Sequence, residues 1–246
     1  MGVIRMVLAA GFLVLFLVLS MPYAFILWLV GKKNPEKSLK ASYRLVSWGF
    51  GVIWKITGSP TTVEGIEKIP TDRAVVFTAN HRSIFDIVLL VSLVPVPMGI
   101  IAKKSMRRAP LLNVWMNMLH CKYLDRSDIK EGLQVILSAI DEVKNGVSIL
   151  VFPEGTRNKT DEPLLDFHAG SFKAATRPGA PVIPVTLTGT RQVFETHMPF
   201  VRPSVVTVTF GDPVETAELD RQGIKELPDR VRNEIMETYI RKTDKE

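Results

Sequence analysis

The chain opens on a long apolar run and then changes character. Met6 to Val30 carries no charged side chain, long enough for a helix to cross a bilayer core of about 30 Å. A cleaved signal peptide is disfavoured, because the run is too long and no small-residue cleavage site closes it. Glu36 to Thr57 follows, mixing Lys37, Lys40 and Arg44 with Leu39, Tyr43, Val46, Trp48, Ile53 and Trp54. A basic first half and a tryptophan-rich second half predict a helix at a membrane interface. An ordinary amphipathic helix packed on a domain is the competing reading. Residues 1–57 are therefore expected to form a membrane-anchoring helical hairpin, whose first helix spans or dips into one leaflet.

From Gly58 the apolar period alternates between strand and helix. Strands are predicted at Thr61–Glu64, Ala74–Thr78, Gly99–Ala102, Lys122–Leu124, Ser148–Phe152, Val182–Leu187 and Val205–Phe210. Helices are predicted at Ile84–Leu93, Leu111–Met118, Ile129–Asn145, Ser171–Thr176 and near Pro228–Lys242. The unbroken apolar runs Ala74 to Phe77 and Ser148 to Phe152 suit strands buried on both faces. Strands alternating with helices make this an α/β fold: one domain over residues 58–246, its mostly parallel or mixed sheet covered by helices.

Composition narrows the function. A 46% hydrophobic content over 246 residues supports a packed core rather than disorder. The single cysteine, Cys121, excludes an internal disulfide framework. The net charge of +6 favours an anionic partner. Its basic residues gather after the apolar run and around Lys103 to Arg108, with no nucleic-acid signature, so no nucleic-acid partner is expected. Lys32, Lys33, Lys37, Lys40 and Arg44 directly follow the apolar run, which by the positive-inside bias places the remainder in the cytoplasm, at the cell membrane.

Ligands of such sheets bind beyond the carboxyl ends of the strands, and two polar motifs fall there. Asn80-His81-Arg82-Ser83-Ile84-Phe85-Asp86 follows one predicted strand, and Pro153-Glu154-Gly155-Thr156-Arg157 follows another. A spacing of five does not place His81 and Asp86 on one helix face. They meet only if His81 lies in the loop and Asp86 in the first helical turn, with Ser83 as N-cap. Asp86 then either stabilises the helix start or also accepts a hydrogen bond from the imidazole, leaving the other nitrogen to take a proton. In the second motif Gly155 permits a tight loop and Arg157 offers a planar fork suited to phosphate. Glu154 positions that fork or binds a substrate hydroxyl, unless the loop is only a polar turn.

Taken together, Asn-His-x-x-x-x-Asp followed by Phe152-Pro153-Glu154-Gly155-Thr156-Arg157 resembles the glycerolipid acyltransferase family. Within it, the chain is most similar to the bacterial 1-acyl-glycerol-3-phosphate acyltransferases that make phosphatidic acid. Tyr123-Leu124-Asp125-Arg126 and Pro181-Val182-Ile183-Pro184-Val185 match two further family blocks, and Lys103-Lys104 precedes a helix as a basic pair often does there. The likeness covers roughly residues 58–212. Asn158, where many members carry Ser, and His168 are departures.

The resemblance implies a glycerol-3-phosphate acyltransferase-like fold and transfer from acyl-CoA or acyl-carrier protein to lysophosphatidic acid, among membrane lipids. It implies no cofactor and no metal. His81 is then the general base and Asp86 its partner. Arg126, Arg157, Lys103 and Lys104 bind the acceptor phosphate, and Asn80, Glu154, Gly155 and Thr156 position substrate. Backbone N–H groups after Asn80 are expected to hold the developing oxyanion. Glycerol-3-phosphate or another lysophospholipid is the alternative acceptor. Three other classes compete: a serine hydrolase on Ser83 or Ser171, which lacks a Gly-x-Ser-x-Gly elbow; a metalloenzyme on His81, Asp86, Glu154 and His168, which lacks the spacing; and a catalytically silent membrane lipid-binding protein.

Overall fold

The computed structural model of the chain describes residues 1–125 and 128–244. Three helices lead: α1 (Gly2–Leu19), α2 (Met21–Gly31) and α3 (Pro35–Thr57). The apolar run is thus not one helix. It breaks at Ser20, where Pro22 in the first turn of α2 supplies no N–H for the ladder of α1. Among the described residues only α1 is long and apolar enough to cross a membrane.

All seven predicted strands form: β1 (Thr61–Glu64), β2 (Val76–Ala79), β3 (Met98–Lys103), β4 (Lys122–Leu124), β5 (Ser148–Val151), β6 (Val182–Thr188) and β7 (Val206–Phe210). They make one seven-stranded sheet in the order β1-β7-β6-β2-β5-β3-β4. β6, β2, β5, β3 and β4 run parallel, while β7 is antiparallel to β6 and parallel to β1. The carboxyl ends of β2 and β5, where the two motifs begin, are therefore adjacent.

Helices α4 (Phe85–Leu93), α5 (Leu112–Met118), α6 (Ile129–Lys144), α7 (Lys173–Thr176), α8 (Thr190–Val193) and α9 (Arg221–Thr243) complete the chain. The period of two in the central strands divides the core. Phe77, Leu150 and Ile183 face a layer containing α3 and α4. Val76, Ile149, Val151 and Val182 face a layer holding Ala139 of α6, Ala174 of α7, and Leu227, Val231 and Ile235 of α9. Both faces of the sheet are covered, so near-continuous apolar strands are what the fold requires.

Two elements extend beyond the sequence-based expectation. α9 begins at Arg221 and carries Pro228 within it; Asp220 caps it by accepting the Gly223 N–H at 2.7 Å, and Pro228 is itself buried. Burial along one stripe outweighs the lost backbone bond. The Ser171–Thr176 segment is a 3-10 turn, Ala169–Phe172, that runs into α7. α3 carries a buried stripe of Leu39, Tyr43, Val46, Ile53 and Trp54, and the Tyr43 hydroxyl donates to the Val94 carbonyl at 3.1 Å. α1 docks through Phe16, whose ring sits so close to Gly49 that a Cβ there would lie 2.8 Å from it. Trp115 closes the contact by donating its indole N–H to Ser20 Oγ at 3.0 Å.

Candidate active site

His81 lies in the loop after β2 and Asp86 in the first turn of α4, so the five-residue spacing closes as the sequence requires. Nδ1 of His81 is 2.9 Å from Oδ2 of Asp86. That oxygen also accepts the N–H groups of Arg82 at 2.7 Å and Ser83 at 2.8 Å. An oxygen taking two backbone donors acts as acceptor toward the ring as well, which puts the proton on Nδ1 and leaves Nε2 with its lone pair. Asp86 is fully buried, whereas the His81 side chain keeps 11% of its surface exposed. Nε2 makes no hydrogen bond to any described residue. Ser83 differs from expectation: the N-cap is Ile84, and Ser83 Oγ accepts the Phe85 N–H at 3.0 Å.

The loop is held from three sides. The Asn80 amide donates to the Leu187 carbonyl at 2.9 Å and accepts the Leu187 N–H at 2.8 Å, which ties it to β6. Glu154, 3% exposed, accepts the His81 N–H at 2.6 Å through one oxygen and the Leu165 N–H at 3.0 Å through the other. Burial raises its carboxyl pKa, and those two bonds oppose the rise. Asn158 donates its backbone N–H to the His81 carbonyl at 2.7 Å, and its side chain organises the turn through Thr160 and Glu162. The glutamate expected beside the Arg157 fork or a substrate hydroxyl is thus spent on backbone. Gly155 sits at φ 69° against His168, where a side chain would be strained. Thr156 is exposed next to it.

The expected oxyanion donors are all engaged. His81 N–H goes to Glu154, those of Arg82 and Ser83 to Asp86, that of Ile84 to Glu195 at 2.8 Å and that of Phe85 to Ser83. A helix start buried beside an acid satisfies its own N–H groups before substrate arrives.

Of the basic residues expected at the phosphate, Arg157 is tied to the start of α4 through Glu195. Its guanidinium donates to Glu195 Oε1 at 3.1 Å, the same oxygen that takes the Ile84 N–H. Lys103 ends β3 at the same sheet edge and is exposed. Lys104 turns to Asp125 at 3.2 Å and Glu131 at 2.6 Å, in a cleft of about 360 Å³ whose lining includes neither His81 nor Arg157. Arg126 lies outside the described residues. Two side chains make contacts around the site that the sequence did not signal. Arg82, 6% exposed, donates to the carbonyls of Thr160 and Glu162 and to the Tyr239 hydroxyl. Glu195 comes from the segment after α8, where no motif marks it.

A family model described as Acyltransferase matches residues 60–188. A Cocos nucifera protein named 1-acyl-sn-glycerol-3-phosphate acyltransferase is 34% identical over 174 residues, covering 70% of this chain and 55% of its own length. A Saccharomyces cerevisiae protein of the same name is 28% identical over 214 residues, covering 85% of this chain and 68% of its own length. The chain spans roughly half to two-thirds of these two relatives. The crystal structure of PlsC from Thermotoga maritima, a 1-acyl-sn-glycerophosphate (LPA) acyltransferase, matches with a TM-score of 0.81 at 26% identity, over 99% of this chain and 98% of that one. The family match runs from just before β1 to the end of β6 and encloses His81, Asp86, Glu154 and Arg157: this chain belongs to the acyltransferase family.

Proposed function

We propose that the chain transfers an acyl group from acyl-CoA or acyl-carrier protein to the free hydroxyl of 1-acyl-sn-glycerol-3-phosphate, giving phosphatidic acid for phospholipid synthesis. One observation carries the reading: an imidazole fixed by a buried carboxylate, its other nitrogen open, in the loop whose Ile84 N–H shares the Glu195 oxygen with the guanidinium of Arg157. The names of the relatives support the acceptor.

In this reading Nε2 of His81 takes the hydroxyl proton as the oxygen attacks the thioester carbonyl. The new C–O bond forms, the C–S bond breaks, and the proton passes from the imidazolium to the departing thiolate. Asp86 stabilises the imidazolium in between. A thioester is already activated, so the route calls for neither an acyl-enzyme nor a prosthetic group. Arg157, with Arg126, Lys103 and Lys104, attracts the acceptor phosphate, and Lys104 does so only by leaving its two carboxylates. Asn80, Glu154, Gly155 and Thr156 position substrate through the loops that they shape. Residues 1–57 anchor the protein among membrane lipids and residues 58–246 carry the chemistry, on the cytoplasmic side as the basic run after the apolar helices suggests.

Purified protein offered acyl-CoA with 1-acyl-glycerol-3-phosphate, glycerol-3-phosphate and lysophosphatidylcholine in parallel tests the reading. Thiol release that depends on the first acceptor supports it. Preference for another reassigns the substrate, and absence of turnover with all three leaves the lipid-binding alternative. Activity that a strong chelator abolishes would remove the metal-free mechanism.

A further inference from the structure

Five successive backbone N–H groups, from His81 to Phe85, lead into α4, and four of them find acceptors close by: three on His81–Asp86 itself and one on Glu154, whose loop adjoins it in the sheet. The fifth, Ile84, donates instead to Glu195, 111 residues further along the chain. The same oxygen receives Arg157 at 3.1 Å. A cationic fork and the N–H at the start of a nine-residue helix therefore converge on one oxygen, the donor set that suits a phosphate. Glu195 fits this seat poorly, since its second oxygen is buried without a hydrogen-bond partner among the described residues. Ile84 lies between His81 and Asp86 in sequence, so an anion seated here is next to the dyad. Glu195 itself is carried by an irregular segment between Phe194, packed edge-on against Phe85, and the exposed Met198 and Phe200.

We propose that the Glu195 carboxylate occupies the seat of the acceptor's phosphate and is displaced by it, so that its charge sets how strongly phosphorylated acceptors bind. The inference rests on the reading of Arg157 as a phosphate ligand. Glu195 takes no part in bond making; it acts through Arg157 and the Ile84 N–H. While in place it neutralises Arg157 and satisfies a helix N–H, and the incoming phosphate takes over both donors. An acceptor without phosphate lacks the charge to evict it.

Glu195→Gln tests this, because glutamine keeps the shape and an acceptor oxygen while removing the charge. The KM for lysophosphatidic acid is expected to fall roughly three- to tenfold, as when a like charge is lifted from a partly exposed site. Competitive inhibition by inorganic phosphate strengthens by a similar factor. The KM for acyl-CoA, which does not use this seat, stays as in the wild type. In an Arg157→Ala background the gain disappears. Should the glutamine variant melt well below the wild type, Glu195→Ser removes the same charge and is read in the same way. An unchanged or raised KM for lysophosphatidic acid in a stably folded variant overturns the proposal. If Arg157→Ala raises that KM while Glu195→Gln leaves it alone, only the seat is refuted. If Arg157→Ala itself leaves the KM alone, the phosphate reading fails with it.

Discussion

The imidazole of His81 lies flat on the ring of Phe152, with centroids 3.9 Å apart and planes inclined by 21°. Phe152 directly follows β5 and precedes the Glu154 loop, so the stack joins the two polar motifs through their apolar parts. Asp86 fixes the ring at one nitrogen, and Phe152 fixes its plane. Together they direct Nε2 without any hydrogen bond to Nε2 itself among the described residues.

Removing either member of the dyad should cost catalysis more than stability. His81→Ala is expected to lower kcat by about 10²- to 10⁴-fold, with a thermal unfolding midpoint near that of the wild type. Asp86→Asn keeps the shape but not the charge that stabilises the imidazolium, and a loss of similar order is expected. Thiol release measured beside a melting curve separates the two effects. Turnover of His81→Ala within a few-fold of wild type would end the general-base assignment.

Phe152→Leu retains an apolar side chain but no flat platform. The ring then gains freedom about its Cβ–Cγ bond, and we expect kcat to drop by roughly tenfold, since small losses of alignment are amplified in rate. The KM for lysophosphatidic acid should not move. A variant with wild-type kcat would show that Asp86 alone suffices to aim the ring.

Glu154→Gln exchanges one acceptor oxygen for an NH2 that faces a backbone donor, either His81 N–H or Leu165 N–H. Leaving a buried donor unpaired costs about 1–3 kcal/mol. Both the denaturation midpoint and kcat should fall, because the lost bond holds the loop that carries the base. A variant of unaltered stability would contradict the clamp.

Arg82→Ala should be more damaging to the fold than any change at Arg157. The buried guanidinium bridges the carbonyls of Thr160 and Glu162 and the Tyr239 hydroxyl of α9. Its removal strands several polar groups at a cost of about 3 kcal/mol. Urea unfolding gives the number directly, and a midpoint close to wild type would show that water replaces the guanidinium.

Glu142 gives a pH signature far from the site. Burial raises its pKa, but His120 at 2.6 Å and Lys122 at 2.5 Å outweigh that and bring it below its ordinary 4.5. A depressed carboxylate contributes stability that is complete above its unfolded pKa and is lost as pH falls through the folded one. Relative to Glu142→Gln, the wild type should be more stable by about 0.5–1 kcal/mol above pH 4.5, allowing for solvent screening. The gap should close on further acidification. A difference that is constant with pH would show that Glu142 acts through packing alone.

Much of this protein is local, and local information is legible in a chain. Apolar runs with turn residues between them mark the central strands β2, β5 and β6, because a strand buried on both faces must be largely apolar. His81 and Asp86 lie five residues apart, so a short loop entering a helix is enough to bring the two side chains within reach, although Leu187, Glu154 and Asn158 hold that loop in place. What the chain alone leaves open depends on partners distant in sequence. Arg157 meets Glu195, Glu154 meets His81 and Arg82 meets Tyr239 only because β2, β5 and β6 lie side by side in the sheet. The same holds for Pro228, whose place inside α9 depends on the core it covers, and for the oxyanion donors, whose acceptors come in part from elsewhere. A hydrogen bond requires contact within about 3 Å, and a linear pattern gives the types of the groups that could make it but not which of them the folded chain brings together.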